Sequence, residues 1–265
     1  MSVITGIRSR LSRRTAASDP VEPPTADAPT GSAPERAHSP SVAVSPEHRL
    51  TPEQRRFFDT FGFLKLEGLF AADIESITEG FEAVFAKEEP WDYLNDLHFN
   101  QRRQIVPDIA GRSPVLGSLL SDPRTVGVVS SLLGDEYEVR ASDGSIFSCD
   151  TSWHADTFDA PLTRRHVKIS LYLDPLSSDS GAIRVLPGTN FWQTAYATEL
   201  RRDLDDPSKI QEHLGVAPQD LPSWTIQSRP GDAVVWDFRV IHASFNGSER
   251  RRLLSLNFRE SGPET

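Results

Sequence analysis

The chain has 265 residues, 37% hydrophobic and 25% charged, which is enough for one globular domain of roughly 200 residues or more. Its formal net charge of −10 argues against a general nucleic-acid binder, which needs clustered Lys and Arg, and no apolar run is long enough to cross a membrane. The single cysteine, Cys149, excludes an internal disulfide framework and a multi-cysteine zinc site; it reads as a small buried hydrophobe.

Residues 1–48 contain no aromatic residue and seven of the twenty prolines, and their five Arg and five acids balance. Such a segment cannot bury enough apolar area to offset its ordering entropy, so a disordered tail is expected. Its first fourteen residues, MSVITGIRSRLSRR, are basic and acid-free, a pattern that overlaps an organelle transit peptide within 1–20. A solvated tail on a cytoplasmic protein is the expectation adopted.

Order is expected from residue 49 to 265. In "LTPEQRRFFDTFGFLKL", Thr51 is a good N-cap, Pro52 suits the first helical position, and Gln54 completes a capping box. Gly62 ends that helix and "FLKLEG" reads as a short strand. "ADIESITEGFEAVFAKEE" is a clear amphipathic helix, with Ile74, Ile77, Phe81, Val84 and Phe85 on one face. Shorter helices follow near 113–120 and 123–133. From 136 the texture changes to "EYEVRAS", "GSIFSC", "HVKISLYL", "AIRVLPG", "SWTIQS", "DAVVWDF", "VIHASF" and "RLLSLNF", short pieces rich in β-branched and aromatic residues and separated by turn formers. This predicts a mainly β, α+β fold: a double-stranded β-helix, or jelly roll, with N-terminal helices packed on its major sheet. The interruption at 191–223, helical around 194–204 and 207–214, reads as a lid-like insertion over one mouth of the barrel.

On a strand, residues i and i+2 share a face, so His154 and Asp156 of "TSWHADTF" would present an imidazole and a carboxylate side by side. Alone, this is as well read as the polar edge of a sheet. A second stretch changes the balance. "GDAVVWDFRVIHASFNGSERRRLLSLNF" runs strand, turn, His242 in an apolar setting, loop and basic strand. Two His and one carboxylate are the donor set of a facial triad, which leaves one face of an octahedral Fe(II) open. An Arg on a neighbouring strand is the residue type that grips a carboxylate through two parallel hydrogen bonds.

H-x-D, a distant His and an Arg shortly after it, on a jelly roll, resemble the Fe(II)/2-oxoglutarate dioxygenases, and within them the phytanoyl-CoA dioxygenase family. The N-terminal "LTPEQRRFFDTFGFLKLEGLF", the metal motif "WHAD", the strand-loop-strand "LYLDPLSSDSGAIRVLPGTN" and "PGDAVVWDFRVIHASFNGSERRRLLSLNF" carry the likeness over about residues 50–260, in order. The resemblance implies that His154, Asp156 and His242 ligate iron and that Arg251 pairs with the C5 carboxylate of 2-oxoglutarate. Alternation lets only one of Arg251 and Arg252 face inward. Arg251 shares its face with Ser255 and Asn257, Arg252 with Leu254, Leu256 and Phe258, so Arg251 is expected inside. Ser244 matches a position that helps hold the same carboxylate. Tyr172 matches an aromatic beside the cosubstrate, or is a packed strand residue. Asn190 departs from the family's usual His at a structural turn.

The implied reaction decarboxylates 2-oxoglutarate to succinate with dioxygen and hydroxylates an unactivated C–H bond of a small molecule, natural-product or lipid-related. Relatives that halogenate lack the carboxylate that Asp156 supplies. Lys168 alternates with Ser170 and Tyr172 and is either a contact to a substrate anion or an exposed strand lysine. Asn100, Arg102 and Gln104 are candidate substrate contacts in a region that otherwise reads as a solvated loop. Phe158 and Asp159 are candidate pocket walls. His98, His166 and His213 read as ordinary. Two alternatives stand beside the dioxygenase: a cupin-type metal oxygenase or isomerase that does not use 2-oxoglutarate, and a non-catalytic jelly-roll binding module.

Overall fold

A computed structural model of the chain describes residues 46–95, 101–156, 162–202, 204, 207–247 and 250–262. Nearly all of the expected tail, the candidate transit segment, Asn100, Phe158 and Asp159 lie outside these residues. Residues Pro46–His48 form a short 3-10 turn, so regular backbone begins slightly before the expected boundary at 49.

Helix α1 (Pro52–Phe61) starts with the expected capping box: the Thr51 side chain accepts from the Gln54 N–H, and the Gln54 side chain accepts from the Thr51 N–H. Gly62 closes it in the left-handed region, at φ 80°. Strand β1 (Phe63–Leu66) follows, then α2 (Ile74–Phe85), which buries Ile77, Phe81 and Val84 as its spacing requires. Next come β2 (Trp91–Asn95) and β3 (Gln101–Pro107), an antiparallel pair where a solvated loop was expected. Three helices complete the N-terminal half: α3 (Ile109–Arg112), α4 (Pro114–Ser118) and α5 (Pro123–Leu133).

Two expected strands around Gly144 are one, β4 (Tyr137–Ser148). The glycine does not end the strand. A Cβ there would come within 2.3 Å of Ile109 Cδ1 and 2.9 Å of a Phe85 ring carbon, so Gly144 marks where the helix layer approaches the sheet most closely. The remaining elements are β5 (Thr151–His154), β6 (His166–Tyr172), β7 (Ile183–Val185), α6 (Ala195–Arg202), α7 (Pro207–Leu214), β8 (Trp224–Ile226), β9 (Ala233–Asp237), β10 (His242–Ser244) and β11 (Arg251–Glu260).

The strands form two antiparallel sheets. The major one runs β1-β9-β6-β11-β4-β3-β2 and the minor one β5-β10-β7-β8. Alternation sorts their side chains. Ile169 and Leu171 of β6, Val235 of β9, and Leu254, Leu256 and Phe258 of β11 join Phe58, Ile77 and Phe81 in the core under the helices. Tyr172, Val234, Trp236 and Leu253 face the other way, into the space between the sheets with Ile183 and Val185 of β7. This is the jelly roll with helices on its major sheet.

The 191–223 segment packs elsewhere than expected. Ile210 of α7 and Leu221, with Leu200 of α6 beside them, cluster with Trp153, Ile241, Ala243 and Phe245. Those residues lie on the outer face of the minor sheet, because His154, His242 and Ser244 take the inner one. Trp153 Nε1 donates to Pro218 O at 2.7 Å and fastens the segment there. The segment is a backing layer behind β5 and β10.

At the start of β6, burial and then the guanidiniums of Arg259, Arg140 and Arg164 hold the His166 imidazole down to about 4, with Asp237 opposing. The folded state therefore binds fewer protons than the unfolded chain between pH 6.5 and about 4, and stability is lost as pH falls through that window. The expected contribution is on the order of 1–3 kcal/mol. In thermal melts across that range, His166→Phe should flatten the pH dependence of Tm; an unchanged slope would contradict the assignment.

Candidate metal centre

His154 ends β5 and His242 opens β10, and the two are register partners in the minor sheet. Their rings lie 4.3 Å apart, centroid to centroid. Each Nδ1 sits on the backbone carbonyl two residues earlier: His154 on Ser152 O at 2.8 Å, His242 on Val240 O at 2.9 Å. A carbonyl only accepts, so each Nδ1 carries the proton and each Nε2 is left as the ring's acceptor nitrogen. Burial lowers the His242 imidazole against the opposing pull of Asp156, which favours the neutral, ligating form.

Asp156 does not reach the site by strand alternation, because β5 ends at His154. Its backbone N–H donates to Phe238 O at 3.0 Å, just beyond β9. Its Oδ2 accepts from Trp236 Nε1 at 2.9 Å and lies 2.9 Å from Lys168 Nζ, while Oδ1 lies 4.0 Å from His242 Nε2. Burial alone would raise this carboxyl; Lys168, His242 and His154 together outweigh it and hold Asp156 well below the usual carboxylate range. One donor atom from each of His154, Asp156 and His242 lies within 4.8 Å of the others. Two neutral imidazoles with fixed tautomers and one ionised carboxylate fit a divalent first-row metal, Fe(II) among them.

Arg251 heads β11 on the inner face and is 5% exposed. It donates to Gly181 O at 2.8 Å, to Ser244 Oγ and to Cys149 O. Two of those acceptors sit on left-handed backbone, Cys149 at φ 82° and Gly181 at φ 84°. No ion pair to Arg251 is found among the described residues, and its Nε has no partner. Burial lowers its guanidinium against the opposing pulls of Tyr172, Asp150 and Cys149, and no carboxylate among the described residues pairs with it directly. Arg252 is engaged on the opposite face, where it binds Asp174 and reaches Glu82 of α2 at 2.8 Å. Tyr172 stands on the inner face, in the strand beside Arg251's, its phenol raised by burial and so neutral.

Arg102 and Gln104 are exposed, and Gln104 bonds Asp92 at 3.2 Å; the structure does not bring them to the centre. A one-residue shift in register explains this. Arg103 is on the inward face of β3. It pairs across the sheet with Phe147, which pairs in turn with Arg251. Its guanidinium binds Asp143 at 3.1 Å and Ser145 Oγ at 2.9 Å, over the Phe147 ring. Arg103, Trp236 and Gly247 escape a motif reading. Alternation counted back from β4 would have found Arg103; for the other two, nothing local distinguishes a site residue from a packed aromatic or a loop glycine.

Among the described residues no helix is long and apolar enough to cross a membrane. The family model described as phytanoyl-CoA dioxygenase (PhyH) matches residues 58–253. An ectoine dioxygenase of Bordetella bronchiseptica is 25% identical over 220 residues, covering 74% of this chain and 70% of the relative. The non-heme alpha-ketoglutarate-dependent carbocyclase SnoK from nogalamycin biosynthesis superposes with a TM-score of 0.63 at 20% identity, covering 83% of this chain and 87% of that one. EctD from S. alaskensis, crystallised with 2-oxoglutarate and 5-hydroxyectoine, gives 0.60 at 19% identity, covering 83% and 79%. At these identities the two structures speak to the fold.

Proposed function

This chain belongs to the phytanoyl-CoA dioxygenase family, and from that premise we propose that it hydroxylates a C–H bond of a small polar molecule, with His154, Asp156 and His242 as iron ligands and Arg251 as the anchor of 2-oxoglutarate. The chain is an Fe(II)/2-oxoglutarate-dependent oxygenase. The observation that carries the site assignment is the convergence of three donor atoms whose two imidazoles are both locked by backbone carbonyls.

Bound iron would supply the activation of dioxygen and the oxidising power for C–H cleavage. The protein supplies the rest. Arg251, with Ser244 beside it, offers a buried cation to the far carboxylate of the cosubstrate. Tyr172 and Trp236 wall off water on that side. Away from them the inner face of the major sheet turns polar: Arg103, Asp143, Ser145, Ser255 and Asn257 stand on β3, β4 and β11. Such a wall suits a substrate with several hydrogen-bonding groups, among them one for the unpartnered Asn257 Oδ1, and offers a long alkyl chain little apolar surface. The ectoine and nogalamycin chemistry in the relatives' names is small-molecule chemistry too. The net charge of −10 and the free Cys149 accord with a cytoplasmic enzyme without a nucleic-acid partner.

Succinate release from 2-oxoglutarate under air, with Fe(II), tests this against two substrate panels. Stimulation by small polar compounds and not by long-chain acyl thioesters is the expected result; the reverse would contradict the polar pocket.

The seat of Arg251 gives a second expectation. A Cβ on Gly247 would lie 2.5 Å from the Arg251 guanidinium carbon, the movable end of a long side chain. Gly247→Ala should therefore shift the guanidinium without unfolding the chain, and raise the KM for 2-oxoglutarate by about 10- to 100-fold. Metal affinity should be unchanged. Equal losses in both would mean the loop itself had collapsed.

A further inference from the structure

We propose that Lys168 and Trp236 together hold Asp156 to single-oxygen ligation, and so keep open a position on the metal that the carboxylate would otherwise take. The inference rests on the ligand assignment above.

Lys168 and Trp236 are direct register partners on adjacent strands, β6 and β9. Both turn inward and both meet the same atom, Asp156 Oδ2, each at 2.9 Å. Neither has freedom to leave. Trp236 is 2% exposed, and the Lys168 ammonium lies over the Trp236 and Phe238 rings at 5.4 and 5.2 Å. The Asp156 backbone is fixed separately by its bond to Phe238 O. The carboxylate thus has an anchored Cα, one oxygen saturated by a charge-assisted pair and an indole N–H, and one oxygen turned toward His242.

The two oxygens would otherwise be equivalent. A carboxylate ligates through one oxygen or through both, and rotation about its last bond costs little. Two-oxygen ligation by Asp156 would fill a position that the cosubstrate or dioxygen needs in a triad site. A donor pair on Oδ2 prevents this without touching the metal. Lys168 and Trp236 are positioning residues in this account, and the contact of Lys168 with Asp156 replaces a contact to a substrate anion.

Mn(II) alone is the probe. Water-proton relaxation at saturating Mn(II) counts the water molecules on the metal, and it needs neither turnover nor cosubstrate. Wild type and Lys168→Arg should give the same count, and Lys168→Met/Trp236→Phe about one water fewer. Lys168→Met alone should move in the same direction if the double variant does not fold. An unchanged count at saturation would overturn the proposal, whether or not affinity weakens, since a packing role or a substrate contact predicts that result. Wild-type protein that holds Mn(II) but binds no 2-oxoglutarate would instead sink the cosubstrate assignment, and the water count would still judge the clamp.

Discussion

Arg251→Met should weaken 2-oxoglutarate binding by roughly 30- to 5,000-fold, the equivalent of about 2–5 kcal/mol for truncating one member of a buried charge pair. The guanidinium is 5% exposed and has no ion-pair partner among the described residues, Asp150 acting on it only from beyond pairing distance, so a bound carboxylate would give it a direct partner. Its seat is already built. Gly181 O, Cys149 O and Ser244 Oγ take its N–H groups and orient the fork. Methionine fills much of the volume but offers no donor, so the loss should fall on the cosubstrate and leave metal affinity intact. Arg252→Met should behave differently. Arg252 ties β11 to Asp174 and to Glu82 of α2, so its removal should lower Tm and leave the 2-oxoglutarate constant nearly unchanged. Titration calorimetry on metal-loaded protein separates the two. Equal effects of both substitutions on cosubstrate affinity would contradict the division of roles.

Asp156→Ala and His242→Ala should each weaken Fe(II) or Co(II) binding by more than ~100-fold, beyond the cost of losing an outer-sphere partner, and abolish turnover. Each removes one of three donors that lie within 4.8 Å of one another. The two variants should differ in stability. Asp156→Ala leaves the Lys168 ammonium and the Trp236 N–H facing each other without their shared acceptor, inside the barrel. His242→Ala deletes a ring that, among the described residues, hydrogen-bonds only Val240 O. The metal-free Asp156→Ala protein is therefore expected to melt lower than metal-free His242→Ala. Retained metal affinity in either variant would place the centre elsewhere.

Much of this architecture is legible in the chain because local rules decide it. The capping box at Thr51 and Gln54 and the apolar stripe of α2 need no tertiary information. The inward placement of Arg251 follows from parity along β11, where Ser255 and Asn257 share its face and the apolar Leu254, Leu256 and Phe258 take the helix-covered side. The departures share a cause: each is decided between elements. Gly144 looks like a strand terminus until Ile109 and Phe85 of the helix layer are seen against it. On β3 the register comes from pairing with β4, and a one-residue shift exchanges Arg103 for Arg102 and Gln104. Asp156 arrives at the right place for a reason other than alternation, being held from outside its own strand by Phe238, Trp236 and Lys168. The 191–223 segment covers the apolar back of β5 and β10, a face that appears only once the inward residues of those strands are assigned.

Cosubstrate chelation at the metal can be followed optically. Fe(II) and 2-oxoglutarate are added without oxygen to wild type and to Arg251→Met, and the visible charge-transfer band of the chelate is followed as the cosubstrate is raised. Wild type should give a band, and the variant should need far more 2-oxoglutarate to give one. Wild-type protein that binds iron and yields no band would contradict the cosubstrate assignment, and would point to a metal oxygenase that does not use 2-oxoglutarate.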